Sequence, residues 1–193
     1  GYATHGLLDA CTSYGTQLFW PFSNERVTWN NISIVDPLFT IPTLILIGAA
    51  IITRKRIFSF FGIGWIIFYL SLGFVQYERA LSTATGLAHS RGHVAERLTL
   101  KPSFGNLILW KSIYQHEETF YVDAIRIVQS TTLCLGENIR IFDYQYHLPG
   151  LDKDSQQRKD IERFRWFSQD YLGYDNEKNL VTDIRYSMIP NQI

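Results

Sequence analysis

The sequence predicts an α+β protein in which a helical, membrane-associated part precedes a strand-rich part. Two long apolar segments without charged residues occupy positions 37–53 and 57–76. From Leu98 onwards, polar and apolar residues alternate as they do in half-buried strands. We therefore predict a metal-site helix plus a two-helix transmembrane hairpin over residues 1–96, and an extracytoplasmic α+β module over residues 97–193.

Composition limits the classes of function that the chain can have. The 193 residues include 18 Lys+Arg and 18 Asp+Glu, so no net charge attracts nucleic acid. The mean hydropathy of −0.05 averages a very apolar middle with polar flanks. We therefore expect no nucleic acid as a partner. The apolar middle of the chain favours membrane lipids as partners, and a site at the outer ends of two membrane helices would meet a small-molecule or lipid substrate.

The apolar segments have lengths that suit a membrane. A span needs about 20 apolar residues, with ~17 as the lower limit, so segment 57–76 qualifies comfortably and segment 37–53 marginally. Arg54, Lys55 and Arg56 connect the two, and three cations in a short loop favour the cytoplasmic side. The competing interpretation is a buried helical pair in a soluble protein, where apolar runs of this length are uncommon.

A histidine and a carboxylate stand four residues apart near the start of the chain. His5 and Asp9 fall within residues 2–16, which we predict to form a helix that Gly15 can end. Positions i and i+4 share one helix face, so the two side chains can converge on one cation such as zinc. The spacing alone does not distinguish a metal site from a solvated pair.

The residues that follow resemble the signature of a known family. After Asp9 the chain reads ACTSYGT and then QLFWPFS, and this string resembles the YdjM-like membrane-bound metal-dependent hydrolases, in which H-x-x-x-D is followed by T-S-Y-G-T and W-P-F. The resemblance extends through Asp36-Pro37-Leu38-Phe39 and, more loosely, through Pro102, Asn106 and Trp110. By distant similarity, such proteins are grouped with zinc-dependent phospholipase C and zinc-dependent single-strand nucleases.

The resemblance implies a divalent metal, zinc above all, held by His5 and Asp9 with Asp36 as a further ligand. Such a metal lowers the pKa of bound water toward ~7 and polarises an ester oxygen. Asp9 is the candidate catalytic residue, because it can bridge two metals or orient the water. For Asp36, a ligand and a helix N-cap are equally compatible with its place before the first apolar segment.

The resemblance also implies that the chain is an internal fragment. Members of the family carry a further histidine motif and apolar segments ahead of this point, whereas the chain begins at Gly1 and ends shortly after a predicted strand. We expect a multi-pass protein of the bacterial inner membrane, with further ligands outside the fragment. With a cytoplasmic connection between the spans, His5, Asp9 and Asp36 fall on the extracytoplasmic side.

Other titratable residues remain open to two interpretations. His89 and His93 form a second i, i+4 pair on a helical extension predicted to reach about Ala95, and a solvated face is favoured over a metal site. His116 and His147 are assigned no site role. Three arginines suit phosphate contacts but more commonly snorkel to headgroups, namely Arg26, Arg79 and Arg91.

The cysteines and the tryptophans of the first half carry weaker signals. Cys11 and Cys134 match no C-x-x-C spacing, so we predict two packed thiols, with a disulfide left open. Trp20, Phe22 and Trp29 suit an interfacial belt, where amphipathic rings lie at the level of the headgroups.

The second half carries alternating and amphipathic runs. The alternation predicts two strands around a polar turn, at residues 107–113 and 119–127. It also predicts a last strand at residues 180–187. Residues 155–171 are predicted to form a helix, because Ile161, Phe164 and Phe167 recur at three-residue spacing.

Two functions of different classes follow from these patterns. The leading hypothesis is a membrane-bound metal-dependent hydrolase that acts on a phosphoester or lipid-like substrate. The alternative is a non-catalytic membrane-anchored binding or structural protein, which explains the apolar segments and strands but not the grouping of His5, Asp9 and Asp36. A transporter-like bundle ranks last, because neither apolar segment carries an intramembrane charge.

Overall fold

The computed structural model describes residues 2–187 and 189–193, so Gly1 and Met188 of the predicted ranges lie outside it. The helices are α1 (Tyr2–Ala10), α2 (Pro37–Thr53), α3 (Arg56–Ser90), α4 (Tyr144–His147) and α5 (Gln156–Phe167). The strands are β1 (Arg97–Pro102), β2 (Leu109–His116), β3 (Thr119–Ile127), β4 (Thr131–Cys134), β5 (Asn138–Arg140), β6 (Leu172–Asp175) and β7 (Leu180–Asp183). The predicted α+β class is confirmed.

The chain forms two compact units that alternate along the sequence. The first unit consists of Gly1–Gly86, Leu100–Lys111 and Ile125–Thr132, and the second of Leu87–Thr99, Ser112–Ala124 and Leu133–Ile193. The helices α1 and α2 belong to the first unit, and β5, β6, β7 and α5 belong to the second.

Helix α2 has the bounds that the sequence predicts. The carboxylate of Asp36 accepts hydrogen bonds from the N–H groups of Leu38 and Phe39, and Pro37 occupies the first turn, where its missing N–H is not needed. The helix ends at Thr53, and its C-cap residue Arg54 adopts a left-handed conformation with φ of 54°. Local capping therefore determines both ends of this element.

Helix α3 is long and apolar enough to cross a membrane. Its 35 residues include an 18-residue window of mean hydropathy 1.9, of which only 17% is buried. The prediction of a two-helix transmembrane hairpin is wrong for α2, because α2 has 17 residues and is a shorter apolar helix. At 1.5 Å per residue such a helix covers about 26 Å, less than the ~30 Å hydrocarbon core of a bilayer.

Within the first unit, α2 packs on α3 through aromatic side chains. The indole Nε1 of Trp65 donates to the carbonyl of Phe39 at 3.3 Å. The rings of Phe39 and Tyr69 lie 5.7 Å apart between centroids. Further along, Leu46 of α2 lies against Gly62 of α3.

The segment after α1 is held between α1 and α3. The N–H groups of Trp29 and Asn31 donate to the carbonyls of Ala10 and Cys11 at 2.7 and 3.0 Å. Asn31 is fully buried, and its Nδ2 donates to the carbonyl of Leu70 at 3.4 Å. This segment therefore connects the metal-site helix predicted from the sequence to the apolar helix.

A buried glutamine joins the end of the apolar run of α3 to the segment before β2 and to the end of β3 in the first unit. Nε2 of Gln76 donates to the carbonyls of Leu107 and Ile127 at 3.1 and 3.4 Å. Arg79 extends the contact, since it donates to Oε1 of Gln76 and to the carbonyl of Val128 at 2.8 and 3.0 Å. The carbonyls of Leu107 and Ile127 thereby have a hydrogen-bond donor within the protein.

The strands form a five-stranded and a two-stranded sheet. The larger sheet has the order β1-β2-β3-β4, with β5 paired antiparallel to β3 so that Thr119 faces Arg140. In the second unit, the core cluster consists of Ile113, Phe120, Val122, Tyr171 and Ile184. A smaller cluster lies under α4 and the β6–β7 pair and consists of Phe142, Tyr144, Leu172 and Tyr174.

The predicted elements of the second half differ from the observed ones mainly at their ends. Strand β3 matches its prediction, and α5 begins after Ser155, whose hydroxyl caps the N–H of Arg158, but ends at Phe167. The predicted last strand is shorter and stops at Asp183. Strands β1, β4, β5 and β6 are missing from the prediction, because runs of three to six residues show too little alternation to be recognised.

A glycine pair on α3 tests the contact with the Asn31 segment. A Cβ atom at Gly73 would lie 2.2 Å from the carbonyl oxygen of Asn31, whereas a Cβ at Gly64 has nothing within 4 Å. We expect Gly73→Ala to lower the free energy of unfolding by about 1–3 kcal/mol through overpacking. Gly64→Ala is the matched control and should lose no stability. Thermal unfolding in detergent measures both, and equal midpoints for the two variants would contradict the contact.

Candidate functional site

The first two predicted ligands lie on α1 as the spacing requires. His5 and Asp9 are both within the helix Tyr2–Ala10, and both side chains are exposed. The helix is shorter than predicted, because it ends at Ala10 and the chain turns before Gly15. The i, i+4 face that carries the pair is unaffected by this earlier end.

The carboxylate of Asp9 is oriented by a threonine that sequence reasoning missed. Oγ1 of Thr16 donates to Oδ2 of Asp9, and Oγ1 of Thr12 donates to the backbone carbonyl of Asp9 at 2.7 Å. A carboxylate has about four lone-pair sites, so one hydrogen bond leaves acceptor capacity on Asp9. Helical periodicity does not indicate Thr16, because it lies beyond α1 in an isolated bridge with Val27. The signal that points to it is the T-S-Y-G-T string, of which Thr16 is the last residue.

Asp36 is the N-cap of α2 and is buried, with 3% of its surface exposed. Its Oδ1 accepts from the N–H groups of Leu38 and Phe39 at 3.1 and 3.2 Å. Its Oδ2 accepts from the hydroxyl of Tyr69 on α3 at 2.7 Å. The capping role allowed by the sequence is therefore present, and the partner Tyr69 is a second residue that sequence reasoning missed.

The three predicted site residues meet in one cleft of the first unit. The cleft has a volume of about 240 Å³ and is open to solvent. Six of the ten lining residues are polar and four are apolar: His5, Leu8, Asp9, Thr12, Ile32, Ser33, Ile34, Asp36, Phe39 and Thr40. Residues distant in the sequence thus line one surface, as the predicted site requires.

The donor set of the cleft suits a divalent cation in kind but is incomplete in number. Imidazole and carboxylate are the ligands that zinc sites use, and a catalytic site supplies three of them. Within residues 2–187 and 189–193, no group of three or more His, Cys, Asp or Glu side chains is placed to hold a metal ion. His5 and Asp9 therefore fit as two ligands of a shell that these residues do not complete.

The two cysteines do not extend the donor set. Both are free thiols, Cys11 buried and Cys134 exposed on β4, so the packed environment predicted for both is correct only for Cys11. Sγ of Cys11 donates to the carbonyl of Leu7 at 3.4 Å. Burial raises the pKa of the Cys11 thiol, which disfavours the thiolate that a metal would need.

The second histidine pair does not share a helix face. Helix α3 ends at Ser90, before the predicted end, so His89 lies on the helix and His93 lies beyond it. The ring of His93 instead stacks on that of His116, with centroids 4.3 Å apart and planes at 17°. Nδ1 of His116 donates to the carbonyl of Val94 at 3.2 Å, since a carbonyl can only accept.

His93 belongs to a charged network of the second unit. Arg91 binds the buried carboxylate of Asp123 through two nitrogens at 2.7 and 2.8 Å, and its Nη1 also donates to the hydroxyl oxygen of Tyr114 at 2.9 Å. The Tyr114 proton is then directed to Nδ1 of His93 at 2.9 Å. Desolvation lowers the pKa of His93, and the nearby His116 and Arg91 charges lower it further, against a smaller opposing effect of Glu117.

The three arginines considered for phosphate binding already donate to protein acceptors. Arg26 donates to the carbonyl of Tyr14 at 2.5 Å, Arg79 to that of Val128 at 3.0 Å, and Arg91 to Asp123. None of the three lines the cleft of His5 and Asp9.

Comparison with known proteins finds similarity in the first part of the chain. The model of the family described as YdjM inner membrane protein matches residues 1–80, which include His5, Asp9 and Asp36. Pro102, Asn106 and Trp110 lie outside this match, so the looser part of the resemblance receives no support. No curated protein sequence and no solved structure matches the chain.

Substitutions at Asp36 separate the cap from the tyrosine contact. Asp36→Ala should cost about 1 kcal/mol for the cap and a further ~1–3 kcal/mol for the buried Tyr69 hydroxyl left without its acceptor. Tyr69→Phe removes only the second contact, and Asp36→Asn keeps a capping oxygen. Thermal unfolding in detergent ranks the three variants, and wild-type stability of Asp36→Ala would contradict the geometry.

The histidine network predicts a pH dependence of stability. Because the pKa of His93 is lower in the folded protein than its ordinary value of 6.5, the unfolded chain binds the proton first as the pH falls. The stability present above pH 6.5 should therefore decrease below it, and His93→Gln should flatten this decrease. His89→Gln, which removes an imidazole outside the network, is the matched control. An identical pH profile for wild type and His93→Gln in thermal unfolding would refute the assignment.

Proposed function

We propose that the chain is a membrane-bound metal-dependent hydrolase, with the cleft of His5, Asp9 and Asp36 as part of its active site. The observation that carries the proposal is the meeting of these three residues in one open cleft. The His–Asp pair on α1 and the carboxylate before α2 are far apart in the sequence, yet they line the same cleft.

The membrane location is supported by two findings. Residues 1–80 match a family of inner membrane proteins, and α3 is apolar, long and largely unburied over its most apolar window. We place Arg54, Lys55 and Arg56 on the cytoplasmic side, following the positive-inside rule. Asp36 of the cleft contacts Tyr69, toward the other end of the apolar run of α3, so the cleft then faces the extracytoplasmic side.

In the proposed site, His5 and Asp9 hold one divalent cation, zinc by preference, with further ligands from outside the described residues. When bound, the cation supplies a Lewis acid and a water acidified toward neutral pH. Thr16 holds Oδ2 of Asp9, which leaves the rest of the carboxylate to bind the cation or to accept a proton from the attacking water. The oxygens of Asp36 already accept hydrogen bonds. Its contribution to the site is therefore the negative potential of its carboxylate.

The lining of the cleft favours an amphiphilic substrate. Leu8, Ile32, Ile34 and Phe39 form an apolar side beside the polar residues. A phosphoester or similar headgroup suits the polar side, and an acyl or prenyl chain suits the apolar side and the exposed apolar surface of α2 that begins there. A phospholipid-like phosphoester is therefore the proposed substrate class.

A second candidate function is a non-catalytic membrane-anchored binding protein. The observation in its favour is the full engagement of Asp36 as a cap and as the acceptor of Tyr69. Among the residues that the structure describes, the cleft then offers His5 and the partly engaged Asp9 as metal-ligand side chains. The two functions differ in whether the protein holds a metal, and this difference can be measured directly.

Metal content decides between the two functions. We expect detergent-purified protein to contain stoichiometric zinc or another divalent metal by elemental mass spectrometry, and His5→Ala and Asp9→Ala each to lose most of it. His89→Ala and Glu25→Ala, at exposed positions outside the cleft, are matched controls and should retain it. Wild-type protein without metal after gentle purification would contradict the hydrolase and favour the binding protein. Metal retained in both cleft variants would contradict the assignment of the cleft as the metal site.

A further inference from the structure

A compact loop between α1 and α2 presents aromatic side chains to the outside. Residues 17–26, here called the aromatic loop, are closed at their base by paired hydrogen bonds between Thr16 and Val27 of 3.0 and 2.9 Å. Leu18 points inward and lies against Gly6 of α1. The loop is therefore fixed to the first unit at its base and on its inner side.

The tip of the loop is unusually apolar for an exposed segment. Phe22 is 95% exposed, Trp20 is 68% exposed and Phe19 is 55% exposed. Three adjacent large aromatic side chains in water expose apolar surface that soluble proteins rarely leave uncovered.

Backbone N–H groups at the tip form hydrogen bonds within the loop, which suits an apolar environment. The N–H groups of Leu18, Trp20, Phe22 and Ser23 donate to carbonyls of Thr16, Gln17 and Phe19 at 2.8–3.2 Å, and Pro21 has no N–H. Backbone donors that are satisfied internally do not lose water when they enter a membrane. This lowers the main cost of inserting a loop.

The loop also carries no net charge at its tip. Its ionisable residues are Glu25 and Arg26 near the base, and Arg26 is turned back onto the carbonyls of Tyr14 and Gly15. An uncharged aromatic tip favours the interface of a lipid bilayer over an acidic or basic protein partner.

The anchoring point of the loop lies near one end of the apolar run of α3. The segment that follows the loop contacts α3 at Leu70 and Gly73 through Asn31, within about two turns of Gln76, and the charged residues Glu78 and Arg79 follow. If α3 crosses the bilayer, this level is close to the headgroups.

We infer that the aromatic loop inserts Phe19, Trp20 and Phe22 into the bilayer interface and so holds the cleft of α1 at the membrane surface. The inference rests on the membrane location proposed above and not on metal binding or catalysis. Because the tip is uncharged, insertion requires no anionic lipid, and zwitterionic vesicles are a sufficient partner.

The test is an environment-sensitive fluorophore on the full chain in phosphatidylcholine vesicles. The fluorophore is attached at Phe22→Cys in a Cys134→Ser background, where the remaining Cys11 is buried and reacts slowly. Parallel labels at Ile63→Cys on α3 and at the exposed Lys153→Cys of the second unit provide the membrane and water references. Nitroxide-labelled lipids report contact with lipid, and iodide reports contact with water.

The expected result is a blue-shifted emission at position 22 that nitroxide lipids quench and iodide does not, as at position 63 and unlike position 153. Iodide quenching at position 22 with lipid quenching at position 63 would overturn the loop insertion while the membrane location stands. Water exposure at both positions would overturn both. A blue shift at position 22 without lipid quenching would also overturn insertion, because the loop would then be covered by protein.

Discussion

The first unit depends on the close approach of the Asn31 segment to α3. The carbonyl of Asn31 lies where a Cβ of residue 73 would be, so only a glycine on α3 allows this distance. The N–H groups of Trp29 and Asn31 bind the end of α1 at the same time. One short segment thereby joins α1, the aromatic loop and α3, and it places Ile32 and Ser33 in the lining of the cleft.

The cleft combines residues under different constraints. Asp36 is buried and accepts three hydrogen bonds, two from the start of α2 and one from Tyr69, so it is part of the framework. His5 and Asp9 are exposed on one face of α1. Among the residues that the structure describes, Thr16 is the one that donates a hydrogen bond to the Asp9 carboxylate. A buried, hydrogen-bonded carboxylate at Asp36 beside the exposed donor pair His5 and Asp9 suits a cation that keeps open coordination positions.

In the second unit, the titratable groups are hydrogen-bonded to one another. Arg91, Asp123, Tyr114 and His93 form a continuous hydrogen-bonded chain in which each donor has an acceptor. The bond to Asp123 raises the pKa of Arg91, which stays charged and so opposes protonation of His93. His93 is thereby engaged with Tyr114 and His116, whereas His89 lies on α3, which ends before His93.

The sequence by itself determined the features that depend on neighbouring residues. The bounds of α2, the start of α5, strand β3 and the helical His5–Asp9 pair follow from caps, alternation and i, i+4 spacing, which act within a few residues. Tertiary structure alone decided the contacts of Thr16 with Asp9, of Tyr69 with Asp36, and of His93 with His116. These partners are 7 to 33 residues apart and are joined by turns and by packing between elements, so no local period encodes them.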